Sequence, residues 1–225
     1  MKITKEFVFR ILIYTLGLLF LAFATVFAIN SNLGTSPVNS LPFAVSVVTG
    51  LQLSTAVIIV FSSYIALQAI LLRKQFKWYN IFQIAFSTLF GYFTDFAKWV
   101  LGDFCLPTYF GKLAMLAVSI VMIAIGIALY VDAQLIPMPP EGLTDALSRT
   151  LHIKFPNMKI IQDCVVTGCA VIITLIATGA VAGVREGTVL SALLVGKVLA
   201  VVQKWIRPTV DKLCRQPEAA ANKNK

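Results

Sequence analysis

Charge is scarce in this chain. Asp, Glu, Lys and Arg make up 13% of its 225 residues, while AVILMFWYC make up 58%. A soluble domain carries roughly 25% charge, so too few polar side chains are present here to cover the apolar surface in water. An ordinary soluble domain is excluded, and lipid must supply the cover. Histidine is limited to His152, and the four cysteines, Cys105, Cys164, Cys169 and Cys214, contain no Cys-x-x-Cys pair. Neither a metal site nor a disulfide framework is indicated, and the cysteines read as small apolar packing residues. Gly-x-Ser-x-Gly, a phosphate loop and His-Glu-x-x-His are also missing. With no nucleophile and base to assign, the chain offers no catalytic residue, and neither enzymatic activity nor a cofactor is expected.

Long apolar runs, by contrast, abound. A helix needs about 20 apolar residues to cross roughly 30 Å of hydrocarbon at about 1.5 Å per residue. Six stretches meet that length, at about 11–29, 53–72, 81–100, 113–131, 160–180 and 187–202. The first follows Lys2 and Lys5 and contains Ala22-Phe23-Ala24, which resembles a cleavage site. Its apolar run continues to Ile29, too long for the core of a signal peptide, so a retained anchor helix is expected.

The formal net charge is +9, from 19 Lys+Arg and 10 Asp+Glu. With the N-terminus placed inside, fifteen of the 19 basic residues fall on cytoplasmic segments. Only Lys98, Lys112 and Arg185 fall outside, and Lys197 lies within the last stretch. That distribution is the positive-inside bias, so both termini are expected in the cytoplasm and nucleic acid is not needed to explain the charge. The membrane domain is expected over 1–206, with a basic cytoplasmic tail at 207–225. Trp78, Tyr79, Trp99, Tyr109, Tyr130 and Trp205 sit near the ends of stretches and read as interfacial anchors.

Two segments are apolar yet too short to cross. After the first stretch, Ser36-Pro37 reads as a helix start, serine capping and proline in the first turn, with Gly50 as its stop. After the fourth, Pro139-Pro140-Glu141-Gly142 opens a similar run. Setting Pro37 on Pro139 also sets Asn39 on Glu141, Leu41 on Leu143, Ala44 on Ala146 and Ser46 on Ser148. A looser echo relates Leu89-Phe90-Gly91 to Leu194-Val195-Gly196. Each half then reads as span, half-helix, span, span, with repeat one at about 10–101 and repeat two at about 112–206. Three crossings per half turn the second copy upside down. The expected fold is all-α and polytopic, with six transmembrane helices in a 3+3 inverted repeat and two short re-entrant half-helices. Broken helices of this kind surround polar cavities in secondary transporters, because freed backbone groups need polar company at membrane depth.

Gly34-Thr35-Ser36-Pro37, Pro139-Pro140-Glu141-Gly142-Leu143 and Arg185-Glu186-Gly187-Thr188 leading into Leu193-Leu194-Val195-Gly196 resemble recurrent motifs of the YczE/YyaS/YitT family of bacterial membrane proteins. The resemblance covers about 10–206 and implies an integral protein of the bacterial plasma membrane. Asn39 stands where the family pattern has an acidic residue, and Lys197 where a proline is common.

Ionisable groups in a bilayer are expensive and mark function by default. Lys197 is expected to pair with Glu141 and Asp145, which lie one turn apart on the second half-helix. Asp95 and Asp163 read as interfacial, and Glu186 suits the positive end of a helix. A central substrate site is therefore expected from Ser36, Asn39, Glu141, Thr144, Asp145 and Lys197. Gly179, Gly183 and Gly187 recur at four-residue spacing and would allow close helix approach, within the chain or across a homodimer. The expected function is a secondary transporter or permease of a small polar solute, with the lipid bilayer as surroundings. The rival expectation is a non-transporting scaffold or regulator acting through the glycine face and the basic tail.

Overall fold

The computed structural model describes residues 5–76 and 78–214 and is all-helical there. Eight α-helices follow in order: α1 (Lys5–Asn30), α2 (Pro37–Thr49), α3 (Leu53–Leu72), α4 (Gln83–Leu101), α5 (Tyr109–Asp132), α6 (Pro139–Leu151), α7 (Phe155–Thr178) and α8 (Glu186–Cys214). Two single turns of 3-10 helix, Arg73–Gln75 and Trp78–Phe82, join α3 to α4. Lys2, Lys77, the side chains of Trp78 and Tyr79, and the tail from 215 lie outside the described residues.

Five helices are long and apolar enough to cross a membrane, at Glu6–Asn30, Leu53–Gln75, Tyr109–Asp132, Phe155–Thr178 and Glu186–Val210. The third stretch expected from the sequence forms α4, which has the length but falls short in apolarity. Gln83, Asp95, Lys98 and a scatter of threonines dilute its phenylalanines. α2 and α6 have 13 residues each, about 20 Å at about 1.5 Å per residue, too short to cross.

The two short helices are built alike. Each opens on proline after an extended residue, Ser36 or Met138, and each ends on a left-handed residue, Gly50 (φ 71°) or His152 (φ 56°). The Ser46 hydroxyl donates to the Leu51 carbonyl at 2.7 Å, and the Ser148 hydroxyl to the Ile153 carbonyl at 2.5 Å. These are the serines that the sequence alignment matched. Ser36 itself makes no side-chain cap; the Asn39 amide donates to the Ser36 carbonyl instead, at 3.0 Å.

α1 and α5 form the central pair and touch backbone to backbone: a Cβ on Gly17 would lie 2.7 Å from the Tyr130 amide nitrogen. α8 packs on α5 as α4 packs on α1; α2 lies on α7 as α6 lies on α3. The packing differs in one place. α8 lies tightly on α7, where a Cβ on Gly196 would sit 2.5 Å from the Pro156 carbonyl oxygen. α4 barely touches α3, and Gly91 has open space around it.

The glycines expected to share one helix face do not. Gly179 caps α7, Gly183 lies in the following turn against Phe43, and Gly187 opens α8 against Leu33. The last two serve close approach inside the chain. Their surroundings also join the first and third sequence motifs: the Thr35 amide and hydroxyl both donate to the Gly183 carbonyl at 2.9 Å, and the Gly187 amide donates to the Leu33 carbonyl at 2.9 Å. Gly34 sits in this clasp at φ +117°, with the Thr188 hydroxyl 2.5 Å from where a Cβ would be. Gly34→Ala is accordingly expected to destabilise the fold by about 2 kcal/mol, from backbone strain and crowding together. Unfolding in mixed micelles measures this, and a loss within experimental error would remove the clasp as a stabilising element.

Candidate functional site

A cluster of buried polar and charged residues lies where α6 meets α7. Proline at the first turn starts α7 at Phe155, which takes Lys159 into the helix. Lys159, Gln162, Asp163 and Thr167, with Thr174 two turns further on, stand at helical spacing, which places all five on one buried stripe. α6 lays Glu141 and Thr144 against that stripe.

Lys159 is the hub. Its Nζ lies 2.8 Å from Asp163 Oδ1 and 3.5 Å from Glu141 Oε1, and the three side chains are 1%, 5% and 2% exposed. The lysine donates its hydrogen bond to Asp163. Glu141 Oε1 takes the longer contact to the same ammonium, and its Oε2 is buried without a hydrogen-bond partner. The hydroxyls of Tyr64, Tyr130 and Thr167 are likewise buried and unpartnered. Tyr14 from α1, Tyr64 from α3 and Tyr130 from α5 all lie within electrostatic reach of Glu141. One ammonium facing two carboxylates leaves the group with an uncompensated negative charge when all three are ionised, which a low-dielectric site tolerates poorly.

A frame of amides surrounds this group. Gln68 on α3 and Gln83 on α4 exchange two hydrogen bonds, at 2.8 and 3.1 Å, and Gln68 also donates to the Pro139 carbonyl at 3.1 Å. A Cβ on Gly142 would lie 2.8 Å from Gln68 Oε1, so glycine is what lets the glutamine pair lie across α6. Gln162 donates to the Pro140 carbonyl at 2.9 Å and accepts from the Thr144 hydroxyl at 2.9 Å. Tyr14 donates to the Ile136 carbonyl at 2.9 Å, just ahead of α6. The carbonyls ahead of and within the first turn of α6 are thereby held by side chains from α1, α3 and α7.

Of the six residues expected at the site, the structure brings Glu141 and Thr144 into it. Lys197 is not their partner: it is exposed and makes no ion pair among the described residues. Around Lys197 the buried positions of α8 are Ser191, Ala192, Val195, Gly196 and Leu199, and helical rotation carries 197 off that face. Asp145 likewise turns outward and pairs with Arg149 at 2.8 Å, with 40% and 66% of the side chains exposed. Ser36 and Asn39 are half-buried on α2, whose inner face is apolar instead. Val38, Leu41 and Val45 pack with Val60, Phe61, Tyr64 and Leu143, which fills the space between the two short helices. Asp163, read as interfacial, is buried in the centre of the site. Lys159, Gln68, Gln83 and Gln162 were not singled out by the sequence reading. Among the described residues no group of His, Cys, Asp and Glu is disposed to hold a metal ion. A cleft lined by Leu71, Leu72, Gln75, Arg149 and Thr150 lies at the far end of α6 and includes none of these residues.

An all-helical chain with five helices able to cross a membrane and a buried, partly unsatisfied charge group fits the class of integral membrane proteins. Within that class the chain belongs to the DUF6198 family, a family of unknown function, whose model matches residues 8–204. No curated protein and no solved structure matches it.

Proposed function

We propose that the chain is a secondary transporter of the bacterial plasma membrane, a permease for a small polar solute. It would be built as a 3+3 inverted repeat with α4 as the sixth crossing, α2 and α6 as re-entrant half-helices, and both termini in the cytoplasm. The observation that carries this reading is the Glu141–Lys159–Asp163 group. It is buried where α1 and α3 of the first half meet α5, α6 and α7 of the second, and Glu141 Oε2 has no partner. A purely structural ion pair is normally fully satisfied, since each bare polar atom costs about 1–3 kcal/mol. A group left open at the join of two halves suits a ligand that comes and goes.

The repeat reading is supported by α2 and α6, with matched prolines, matched left-handed ends and matched serine bonds. The difference between the α7–α8 and α3–α4 contacts gives it a mechanism. In an inverted repeat, alternating access exchanges the conformations of the two halves. The closed contact at Gly196 and the open one at Gly91 would then trade places during transport. Solute would reach the site through the loosely packed α3–α4 side, where the Gln68–Gln83 pair stands between that opening and Gly142.

The test begins with ligand-dependent thermal stabilisation across a metabolite library, because any bound solute raises stability by mass action. Solutes that stabilise are then assayed for uptake into proteoliposomes. Wild-type protein is expected to accumulate at least one, and Glu141→Gln to lose that uptake while remaining folded. Folded wild-type protein that moves none of its stabilising ligands would overturn the proposal. The scaffold reading predicts indifference to Glu141→Gln and sensitivity to removal of 215–225.

A further inference from the structure

We infer that Glu141 is a proton-binding residue, with the proton taken up on Oε2, and that this proton is the coupling ion of the transport reaction. The inference deepens the transporter reading, and its first test stands without it. The three charged side chains are not equivalent. Lys159 gives its hydrogen bond to Asp163 at 2.8 Å, so these two form a neutral pair. Glu141 stands farther off, at 3.5 Å from the same nitrogen, whose charge Asp163 already matches. Whether Glu141 is protonated therefore decides whether the group is neutral or carries one net negative charge. Glu141 Oε2 is the carboxylate oxygen of the group that is fully buried and left without a hydrogen-bond partner.

The groups facing Glu141 agree with that assignment. They are Lys159 and Asp163 from α7, Tyr14 from α1, Tyr64 from α3 and Tyr130 from α5. Gln83 from α4 is neutral, and Asp145 on α6 itself is turned outward to Arg149. No second cation among them neutralises the glutamate. Tyr130, buried with its hydroxyl beside Glu141, is placed to donate to the carboxylate, the form that gains most from a hydroxyl donor. Binding and release change no other bond: one proton joins Oε2 from one side of the membrane and leaves to the other when the halves exchange.

The experiment is infrared difference spectroscopy of the full chain in lipid nanodiscs across a pH titration. A protonated-carboxyl C=O band is expected to bleach as carboxylate bands grow. Glu141→Gln should remove that band, whereas Asp163→Asn, which frees Lys159 to pair with Glu141, should move its midpoint to lower pH. Tyr130→Phe, which keeps the carboxyl in place, should move the band's midpoint up by about one pH unit, a tenfold tighter proton, because the ionised form loses a donor. A wild-type spectrum without the band, or one that Glu141→Gln and Tyr130→Phe leave unchanged, overturns proton binding at this residue. Uptake in proteoliposomes then separates the two proposals. A solute moved by wild-type protein at a rate indifferent to an imposed pH gradient overturns proton coupling while leaving transport standing.

Discussion

Replacing Lys159 with methionine is expected to destabilise the folded protein by about 3–5 kcal/mol. The reason lies in what the substitution leaves behind. Asp163 and Glu141 are buried to within 5% and 2% of their side-chain surface, and Lys159 is their shared cation. Without it, two carboxylates face each other in a site with little dielectric screening, and at least one must take up a proton or draw in water. The chain contains its own control. Arg149 and Asp145 are also four residues apart on one helix and also 2.8 Å apart, but 66% and 40% of their side-chain surfaces are exposed. Breaking that pair with Arg149→Ala should cost less than about 1 kcal/mol. Equal distance and equal spacing thus give unequal worth, and burial decides which pair matters. Neutralising the whole group in Lys159→Met/Asp163→Asn/Glu141→Gln should recover most of the loss, because the penalty belongs to the uncompensated charges and not to the missing lysine. Unfolding in mixed micelles measures all three proteins. A loss below about 1 kcal/mol for Lys159→Met would show that Lys159 does not neutralise the site.

The course of the chain was largely readable from its sequence because hydrophobic length is a local property. Helices α1, α3, α5, α7 and α8 follow directly from it, and the Ser-Pro and Pro-Pro-Glu-Gly openings mark α2 and α6. The site was readable only in part. With the crossing stretch begun at 160, Lys159 reads as a cytoplasmic lysine and its spacing to Asp163 carries no signal, although Pro156 marks an earlier helix start. Had α7 been begun at Phe155, the stripe of Lys159, Gln162, Asp163 and Thr167 would have stood out as polar residues at helical spacing in an apolar helix. Gln68 carried a similar signal as an amide inside a crossing stretch. The rotation of α8 was harder, since Lys197 lies one residue after buried Gly196 and its direction depends on which neighbour α8 packs against. The apolar plug of Val38, Leu41 and Leu143 between the short helices had no local signature, because an amphipathic half-helix shows which face is apolar but not what that face meets.

A cysteine pair at positions 58 and 91 is expected to cross-link poorly in the native chain and strongly once the α7–α8 contact is forced open. The expectation follows from the asymmetry of the two halves. Gly196 rests against Ile160 and Pro156 near the start of α7, so closely that a Cβ would meet both. The offset that sets Pro37 on Pro139 sets Ser54 on Pro156 and Ile58 on Ile160, and the sequence echo sets Gly91 on Gly196. Ile58 is 58% exposed and Gly91 has nothing within 4 Å, so the equivalent contact is unmade. If the halves exchange conformations, making one contact breaks the other. Gly196→Leu drives this from one side only, because its side chain has no room beside Ile160 and pushes α8 away from α7. With Cys105, Cys164, Cys169 and Cys214 replaced by alanine, Ile58→Cys/Gly91→Cys should form little disulfide, since bridging needs Cα atoms within about 4.4–6.8 Å. Adding Gly196→Leu should raise the yield several-fold under the same oxidant. A yield unchanged by Gly196→Leu, in protein that remains folded, would uncouple the two contacts and with them the exchange of the two halves.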